Sequence, residues 1–280
     1  MTEGSPERAA WVAIAVAPNG GRRTKEDHPA LPMTATDIAD TARACREAGA
    51  SMIHVHVRDA QGAHLLDADA YTDVTAAIRQ TVGTEMVVQI TTEAVGRYTP
   101  QQQMAVVRAV RPEAVSLALR ELLPDPASEG AFSEFLAFLK VEAIVPQIIL
   151  YAPEEADQLG ELMRRGVLPA DTVPVLYVLG RYTAGQRSDP ADLLPFLAPE
   201  RPTFAHWSVC AFGPRETACA ATAGFLGGHI RVGFENNVHL PDGTRAADNA
   251  ALVSATAEAV HAGGIRPQTA DELRASWHFS

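Results

Sequence analysis

Short apolar runs alternate with segments of helical length along the whole chain. Eight of these runs have the length of a strand, and they predict β-strands at residues 11–17, 52–57, 86–91, 114–119, 143–151, 173–179, 203–209 and 229–234. The segments between them predict helices, and several begin at a threonine, aspartate or proline, residues that commonly start a helix. One further helix is predicted over residues 269–276.

Strict alternation of strands and helices predicts an α/β fold. Over 280 residues it favours one (β/α)8 barrel, the TIM barrel, with residues 1–280 forming a single domain that ends in a short helical tail. The alternative is a doubly wound sheet, which normally carries a Gly-x-Gly-x-x-Gly turn after its first strand. Residues 18–21 read Pro-Asn-Gly-Gly and do not match that turn. We therefore predict the barrel.

The second predicted strand carries two histidines, His54 and His56. Alternation along a strand places both imidazoles on one face and Ile53, Val55 and Val57 on the other. Helices are predicted on both sides of this strand, so we expect the histidine face to be buried, and a buried polar pair requires partners. Two converging imidazoles are typical of a metal site, and imidazole favours zinc.

Active sites of TIM barrels form at the carboxyl ends of the strands, so the residues there are the candidates for chemistry. In chain order they are Asn19, Arg22, Arg23, His54, His56, Arg58, Asp59, Thr91, Thr92, Glu93, Ser116, Arg181, Ser208, Arg231, Glu235 and Asn236. Glu235 is the predicted third zinc ligand, because closure of a barrel brings the end of its last strand close to the site. Two histidines and a glutamate would leave one position open for catalysis. The alternative for Glu235 is a solvated loop carboxylate.

The remaining candidates have simpler interpretations. His229 begins the eighth strand at the opposite mouth, so we expect a structural role. His28, His64 and His239 are predicted to be solvated loop residues. Arg215 lies at a predicted helix start and could help to bind a phosphate, although an ordinary helix start that uses Pro214 explains the same pattern.

Composition and charge narrow the classes of partner. The formal net charge of −11 and the isoelectric point of about 5.3 argue against a nucleic acid or an anionic membrane as partner. No apolar run approaches the ~18 residues of a membrane span. The first apolar run is also too short for a secretory signal. Three scattered cysteines without a Cys-x-x-Cys motif predict reduced thiols and a cytoplasmic location.

Three segments together carry a family resemblance. They are KEDHPALP at residues 25–32, EAGASMIHVHVRD at 47–59 and GGHIRVGFENN at 227–237. The chain resembles the β-keto acid cleavage enzymes, whose founding activity is cleavage of 3-keto-5-aminohexanoate, and the resemblance covers essentially its whole length. It implies a zinc-bearing TIM barrel, assembled as a homotetramer. Such an enzyme condenses a β-keto acid with acetyl-CoA and splits the adduct into acetoacetate and a new CoA thioester.

The resemblance also implies a role for each candidate. One zinc ion per chain would be held by His54, His56 and Glu235. The catalytic set would be Arg231, Asn236, Thr91, Ser116 and Glu93, in which Arg231 and the two hydroxyls stabilise developing negative charge. The predicted substrate-binding set is Asn19, Arg22, Arg23, Thr92 and Arg215.

Three departures from the family pattern bear on chemistry. Asn236 stands where the family usually has the aspartate proposed to deprotonate the keto acid, and an amide is no base, so the proton would go to water, Glu93 or the substrate. Ile149 occupies the place of a common acidic residue on the fifth strand. Arg22 and Arg23 stand where the aminohexanoate enzyme has an acidic residue, which favours a neutral or acidic keto acid.

Two other functions stay open at this point. A zinc hydrolase of the amidohydrolase type also has a His-x-His pair, but on its first strand and with further histidines on later strands. The fifth and sixth predicted strands here have none. A barrel that binds a keto acid without converting it is the second alternative, because of Asn236. The sequence does not name the keto acid, the proton acceptor, the metal or the number of subunits.

Overall fold

The computed structural model describes residues 11–168 and 173–277. Eight parallel strands close into a barrel. In chain order they are β1 (Ile14–Val16), β2 (Met52–Val55), β3 (Val87–Thr91), β4 (Ala114–Ala118), β5 (Val145–Leu150), β6 (Val175–Leu179), β7 (Trp207–Ala211) and β8 (His229–Val232). β8 pairs with both β7 and β1, which closes the barrel and confirms the predicted TIM fold.

Helices surround the barrel. The α-helices are α1 (Ala35–Glu47), α2 (Ala68–Val82), α3 (Pro100–Val110), α4 (Leu119–Leu122), α5 (Glu129–Val141), α6 (Pro153–Arg164), α7 (Glu216–Phe225), α8 (Asn249–Ala262) and α9 (Ala270–Trp277). Thr34 and Thr99 accept hydrogen bonds from the third residues of α1 and α3, as expected of capping threonines. Among the described helices, none is long and apolar enough to cross a lipid bilayer.

Several predicted elements differ from the observed ones in extent or in type. The first apolar run is divided, because Trp11–Val12 pairs with Arg266–Pro267 outside the barrel and only the residues after it form β1. The helix predicted over residues 190–197 is a 3-10 helix, Pro190–Phe196, that contains Pro195, which lacks the backbone donor that an α-helix needs. The seventh strand begins at Trp207, four residues after the predicted start.

The strand residues that face the helices form the main core, including Val16, Ile53 and Ile148. A separate apolar cluster fills the amino-terminal mouth of the barrel, where Leu273 and Trp277 of α9 pack against the first residues of the strands. Glu272 donates its backbone N–H to Thr269 Oγ1 (3.2 Å), which confirms the predicted cap of this helix. The tail therefore closes one mouth and leaves the carboxyl ends of the strands for a site.

Candidate metal and substrate site

Three side chains converge at the carboxyl ends of β2 and β8. The Nε2 atoms of His54 and His56 lie 3.2 Å apart, and they lie 3.6 and 3.4 Å from Glu235 Oε2. Zinc bonds of about 2.0–2.1 Å place the ligands of a tetrahedral ion ~3.3 Å from one another. The three measured separations therefore match the edges of a site for one metal ion.

The ring of His54 is oriented by a row of polar side chains inside the barrel. His54 Nδ1 lies 2.8 Å from Gln89 Oε1, Gln89 Nε2 donates to Gln147 Oε1 (3.1 Å), and Gln147 Nε2 donates to Ser208 Oγ (3.2 Å). Gln89, Gln147 and Ser208 come from alternate strands, β3, β5 and β7, as is typical of one layer of a TIM barrel interior, and His54 joins them from the neighbouring strand β2. Since Gln89 accepts, the proton of His54 is on Nδ1. Nε2 is left with a free lone pair for a metal.

His56 is oriented by a second histidine. His64 Nε2 donates to the backbone carbonyl of Glu93 (2.9 Å), so His64 Nδ1 is an acceptor. It lies 3.4 Å from His56 Nδ1, which therefore carries the proton and leaves Nε2 free. Burial lowers the pKa of His54 and of His64 to about 3, which keeps both rings neutral.

The second carboxylate oxygen of Glu235, Oε1, is held by Arg231. Arg231 Nη2 donates to Glu235 Oε1 (3.1 Å) and to Cys210 Sγ (3.3 Å). Burial by itself would raise the pKa of Glu235, but the neighbouring Arg231 charge opposes this effect, and that pKa lies well below its ordinary value. Among the described residues, Glu235 Oε2 has no hydrogen-bond donor. Three lone pairs thus face one another without a proton between them, and a cation would satisfy all three.

A cavity opens beside these three ligands, and its two sides differ in chemistry. The polar side consists of His54, His56, Thr91, Glu93, Ser116, Arg181, Arg231 and Glu235, and the apolar side of Ala118, Ile149, Tyr151, Val178 and Phe212. We call this the inner cavity. The position of Ile149 provides no charge for an ammonium group.

A second cavity lies further out and shares Glu93, Arg181, Phe212 and Glu235 with the inner one. Its other lining residues are Asn19, Gly20, Gly21, Arg22, Arg23 and Gln186. We call this the outer cavity. Arg181 Nη2 lies 3.6 Å from Glu93 Oε1, and its guanidinium lies 5.0 Å above the ring of Phe212. Three arginines, Arg22, Arg23 and Arg181, therefore border the approach to His54, His56 and Glu235.

Two predicted residues lie close to the site but support it through the backbone. Asn19 Nδ2 donates to the His56 carbonyl (2.9 Å), and the His56 N–H donates back to Asn19 Oδ1 (3.3 Å). Thr92 Oγ1 donates to the Ser116 carbonyl (3.1 Å) and, within the described part of the chain, is not among the lining residues of either cavity.

Two other predicted site residues are separated from both cavities, as far as the described residues show. Arg215 pairs with Asp189 at the surface, so the predicted substrate contact is not supported. Asn236 is buried, with Nδ2 3.3 Å from Glu216 Oε1, so its amide faces α7 and not the substrate space. The reason is that the turn after β8 runs beside α7 directly after Glu235, so the next side chain contacts α7.

The remaining histidines test the simpler interpretations. His229 Nδ1 accepts from the Ala13 N–H (3.1 Å) at the closed mouth, which confirms a structural role. His28 and His64 are buried, so the prediction that they are solvated is wrong. The ring of His28 packs on Phe234 at 4.1 Å between ring centroids. His64 is folded back over the barrel by the antiparallel pairing of Val57–Arg58 with His64–Leu65.

Sequence reasoning missed four buried polar residues around the site: His64, Gln89, Gln147 and Glu216. For the two glutamines a signal existed, since each is a polar residue inside an apolar strand. Such a residue must face a hydrogen-bonding partner in the barrel interior. For His64 and Glu216 no local pattern indicated burial.

Comparisons with known proteins cover most of the chain. A model of the β-keto acid cleavage enzyme family matches residues 11–278. The 3-keto-5-aminohexanoate cleavage enzyme of Fusobacterium nucleatum is 28% identical over 266 residues, which is 93% of this chain and 95% of that protein. The 3-oxoadipate:acetyl-CoA acetyltransferase of Cupriavidus necator is 29% identical over 94% of this chain and 93% of its own.

A solved structure supports the fold. The ligand-free structure of ObcA superposes with a TM-score of 0.72 at 18% identity, covering 89% of this chain and 66% of that one.

Proposed function

Since the chain belongs to the β-keto acid cleavage enzyme family, we propose that it condenses a β-keto acid with acetyl-CoA and cleaves the adduct to acetoacetate and a new acyl-CoA. The names of two relatives, one a keto acid cleavage enzyme and one an acetyl-CoA acetyltransferase, support this activity. The observation that carries it in the structure is the convergence of three proton-free ligand atoms beside a cavity that has Arg231, Thr91 and Ser116 in its wall.

We propose that one zinc ion per chain binds His54, His56 and Glu235. Neutral imidazoles and an ionised carboxylate are the donor set that zinc prefers, and the open position would face the inner cavity. When bound, the ion supplies a Lewis acid for the keto group of the substrate. Gln89, His64 and Arg231 hold the three ligands in their binding orientation.

The polar wall supplies stabilisation of negative charge. Thr91 Oγ1 accepts from the Glu93 N–H (3.1 Å) and from Ser116 Oγ (3.4 Å), so its own proton is available to the cavity. Arg231 is buried and holds a positive charge there. A hydroxyl donor and a fixed guanidinium in a water-poor site stabilise an enolate or a tetrahedral oxyanion.

We propose that Glu93 accepts the proton from the carbon between the keto and carboxyl groups. That carbon then attacks the thioester carbonyl, and the CoA thiolate is expelled. Addition of the thiolate to the original keto carbon and rupture of the old carbon–carbon bond yield acyl-CoA and the acetoacetate carbanion, which regains the proton. Glu93 fits this role because its carboxylate lines both cavities, whereas Asn236 has no basic atom.

We propose that the keto acid carries a second carboxylate. Arg22, Arg23 and Arg181 line the outer cavity, and opposite charges attract strongly in a partly dry site. The relative from Cupriavidus necator is named for 3-oxoadipate, a dicarboxylate. Ile149 offers no charged partner for the ammonium group of an amino-keto acid.

We also propose a cytoplasmic homotetramer. The buried, unbridged thiols of Cys45, Cys210 and Cys219 suit a reducing compartment, and the family resemblance supports the subunit number. Light scattering coupled to size-exclusion chromatography measures the mass in solution.

A product assay separates this function from the two alternatives. Protein of measured zinc content is incubated with a panel of β-keto acids, with and without acetyl-CoA, and the products are identified by mass spectrometry. We expect acetoacetate and a new acyl-CoA only when acetyl-CoA is present. A hydrolase would release products without it, and a binding protein would leave both substrates unchanged.

A further inference from the structure

Glu216 is a fully buried carboxylate that the reaction proposed above does not use. It is the first residue of α7, and its two oxygens face three donors. Gly233 N–H and Asn236 Nδ2 approach Oε1 at 3.1 and 3.3 Å, and Asn237 Nδ2 approaches Oε2 at 3.3 Å. A carboxylate surrounded by three donors is an anchor, because removing it leaves all three unsatisfied.

The three donors enclose Glu235. Gly233 precedes that residue by two positions, and Asn236 and Asn237 follow it directly. The backbone of the turn is also pinned, since the Glu235 N–H donates to the Ala17 carbonyl (3.0 Å) and the Asn236 N–H to the Gly233 carbonyl (2.8 Å). Displacement of Glu216 would therefore take an acceptor from donors on both sides of Glu235, while the two backbone hydrogen bonds remain.

The direction of the hydrogen bond between Asn236 and Glu216 explains why residue 236 is an amide, since Asn236 donates and Glu216 accepts. Asn237 cannot turn its amide around, because Oδ1 accepts the His239 N–H (3.0 Å) and Nδ2 donates to the His239 carbonyl (2.6 Å). An aspartate at 236 would place a second carboxylate about 3.3 Å from Glu216 in a buried site. Like charges this close cannot both stay ionised.

We propose that Glu216 is a positioning residue for the metal ligand Glu235, and that in this chain Glu216 and Asn236 form a pair in which the acid lies on α7 and the amide on the turn after β8. This inference rests on the proposed metal site, and it assigns Asn236 a structural reason in place of a lost base.

Four proteins test the pair: wild type, Glu216→Gln, Asn236→Asp and the double variant. Wild type and double variant each have one acid in the pair, whereas the single variants have none and two. The readouts are zinc affinity, by competition with a chelator far below the melting temperature, and the Tm of the metal-free protein. Glu113→Gln is the control, since Glu113 pairs with Arg79 and Arg274 near the closed mouth.

We expect each single variant to lose about 10–100-fold in zinc affinity, as partners of metal ligands typically do, and the double variant to bind at least tenfold more tightly than Asn236→Asp. Glu113→Gln should lower Tm without a change in zinc affinity. The comparison of the double variant with Asn236→Asp can be made even if Glu216→Gln does not fold by itself. Purely additive losses, or a fall in Tm with unchanged zinc affinity, would overturn the proposal.

Failure of the metal site itself is distinguishable. If wild type binds no zinc, the metal assignment fails, while coupling between positions 216 and 236 still appears in Tm. If zinc binding is coupled but no acyl-CoA forms, only the proposed reaction fails.

Discussion

The Nδ1 atoms of His56 and His64 lie 3.4 Å apart, and this contact determines which nitrogen of His56 faces the metal site. The Glu93 carbonyl can only accept a hydrogen bond, so His64 Nε2 carries the proton of that ring. His64 Nδ1 must therefore accept from His56 Nδ1. A histidine in a hairpin thus sets the tautomer of a histidine at the end of a barrel strand.

Replacement of His64 by alanine should therefore weaken zinc binding without removing it. Loss of an orienting partner of a metal ligand typically costs 10–100-fold in affinity. Chelator competition measures the change, and His239→Ala, a change in a half-exposed loop histidine, is the control. Unchanged affinity in His64→Ala would show that the tautomer is set by something else.

Removal of a ligand should have a larger effect. We expect His56→Ala to lose zinc and activity together, while the fold persists because the core is apolar. Metal analysis after dialysis and a circular dichroism spectrum test both halves of the prediction. The exposed His261→Ala should retain one zinc per chain. Full zinc occupancy in His56→Ala contradicts the assignment.

Substrate charge should depend on Arg22. If the outer cavity receives a second carboxylate, Arg22→Ala should lower kcat/KM for a dicarboxylic keto acid by about tenfold, the effect of ~1.4 kcal/mol, and leave a monocarboxylic one unchanged. Arg43→Ala, which alters an exposed arginine on α1, is the control. The idea is abandoned if dicarboxylate and amino substrates react equally well in wild type and variant.

The turn before Glu235 requires glycine at position 233. Gly233 has φ of 138°, and a Cβ there would lie 2.4 Å from the Ala17 carbonyl oxygen. Gly233→Ala should lower stability by ~2 kcal/mol or more, through strain and the displaced strand contact. Gly227→Ala is the matched control, with φ of 88° but no atom within 4 Å of a Cβ, and urea unfolding compares the two. Equal losses would show that the close approach does not matter.

Acid should destabilise the fold through His229. Burial lowers its pKa to about 4 from 6.5. Below pH 6.5 the unfolded chain therefore binds a proton at this residue, whereas the folded protein binds it only near pH 4. Stability is complete above pH 6.5 and falls as pH decreases towards 4, by up to about 1.4 kcal/mol per pH unit.

His229→Asn keeps an acceptor for the Ala13 N–H and removes the titration. Urea midpoints at pH 7.5, 6 and 5 should therefore fall less steeply in His229→Asn than in wild type. Parallel slopes would assign the acid sensitivity to other groups.

The sequence by itself predicted the barrel and the three residues, His54, His56 and Glu235, that converge at its carboxyl mouth. Strand alternation, helix starts and the spacing of His54 and His56 are properties of neighbouring residues, so they can be read directly from a linear pattern. The position of Glu235 followed because closure of a barrel places the ends of all eight strands at one mouth.

Only the tertiary structure decided which polar residues face one another. His64 was predicted to be solvated, Asn236 to face the substrate and Arg215 to bind it, and the structure places them against His56, Glu216 and Asp189. Each contact joins residues that are 8 to 26 positions apart and lie on different elements. Such pairs depend on how loops and helices pack once the barrel has closed, and no periodic pattern along the chain encodes that packing.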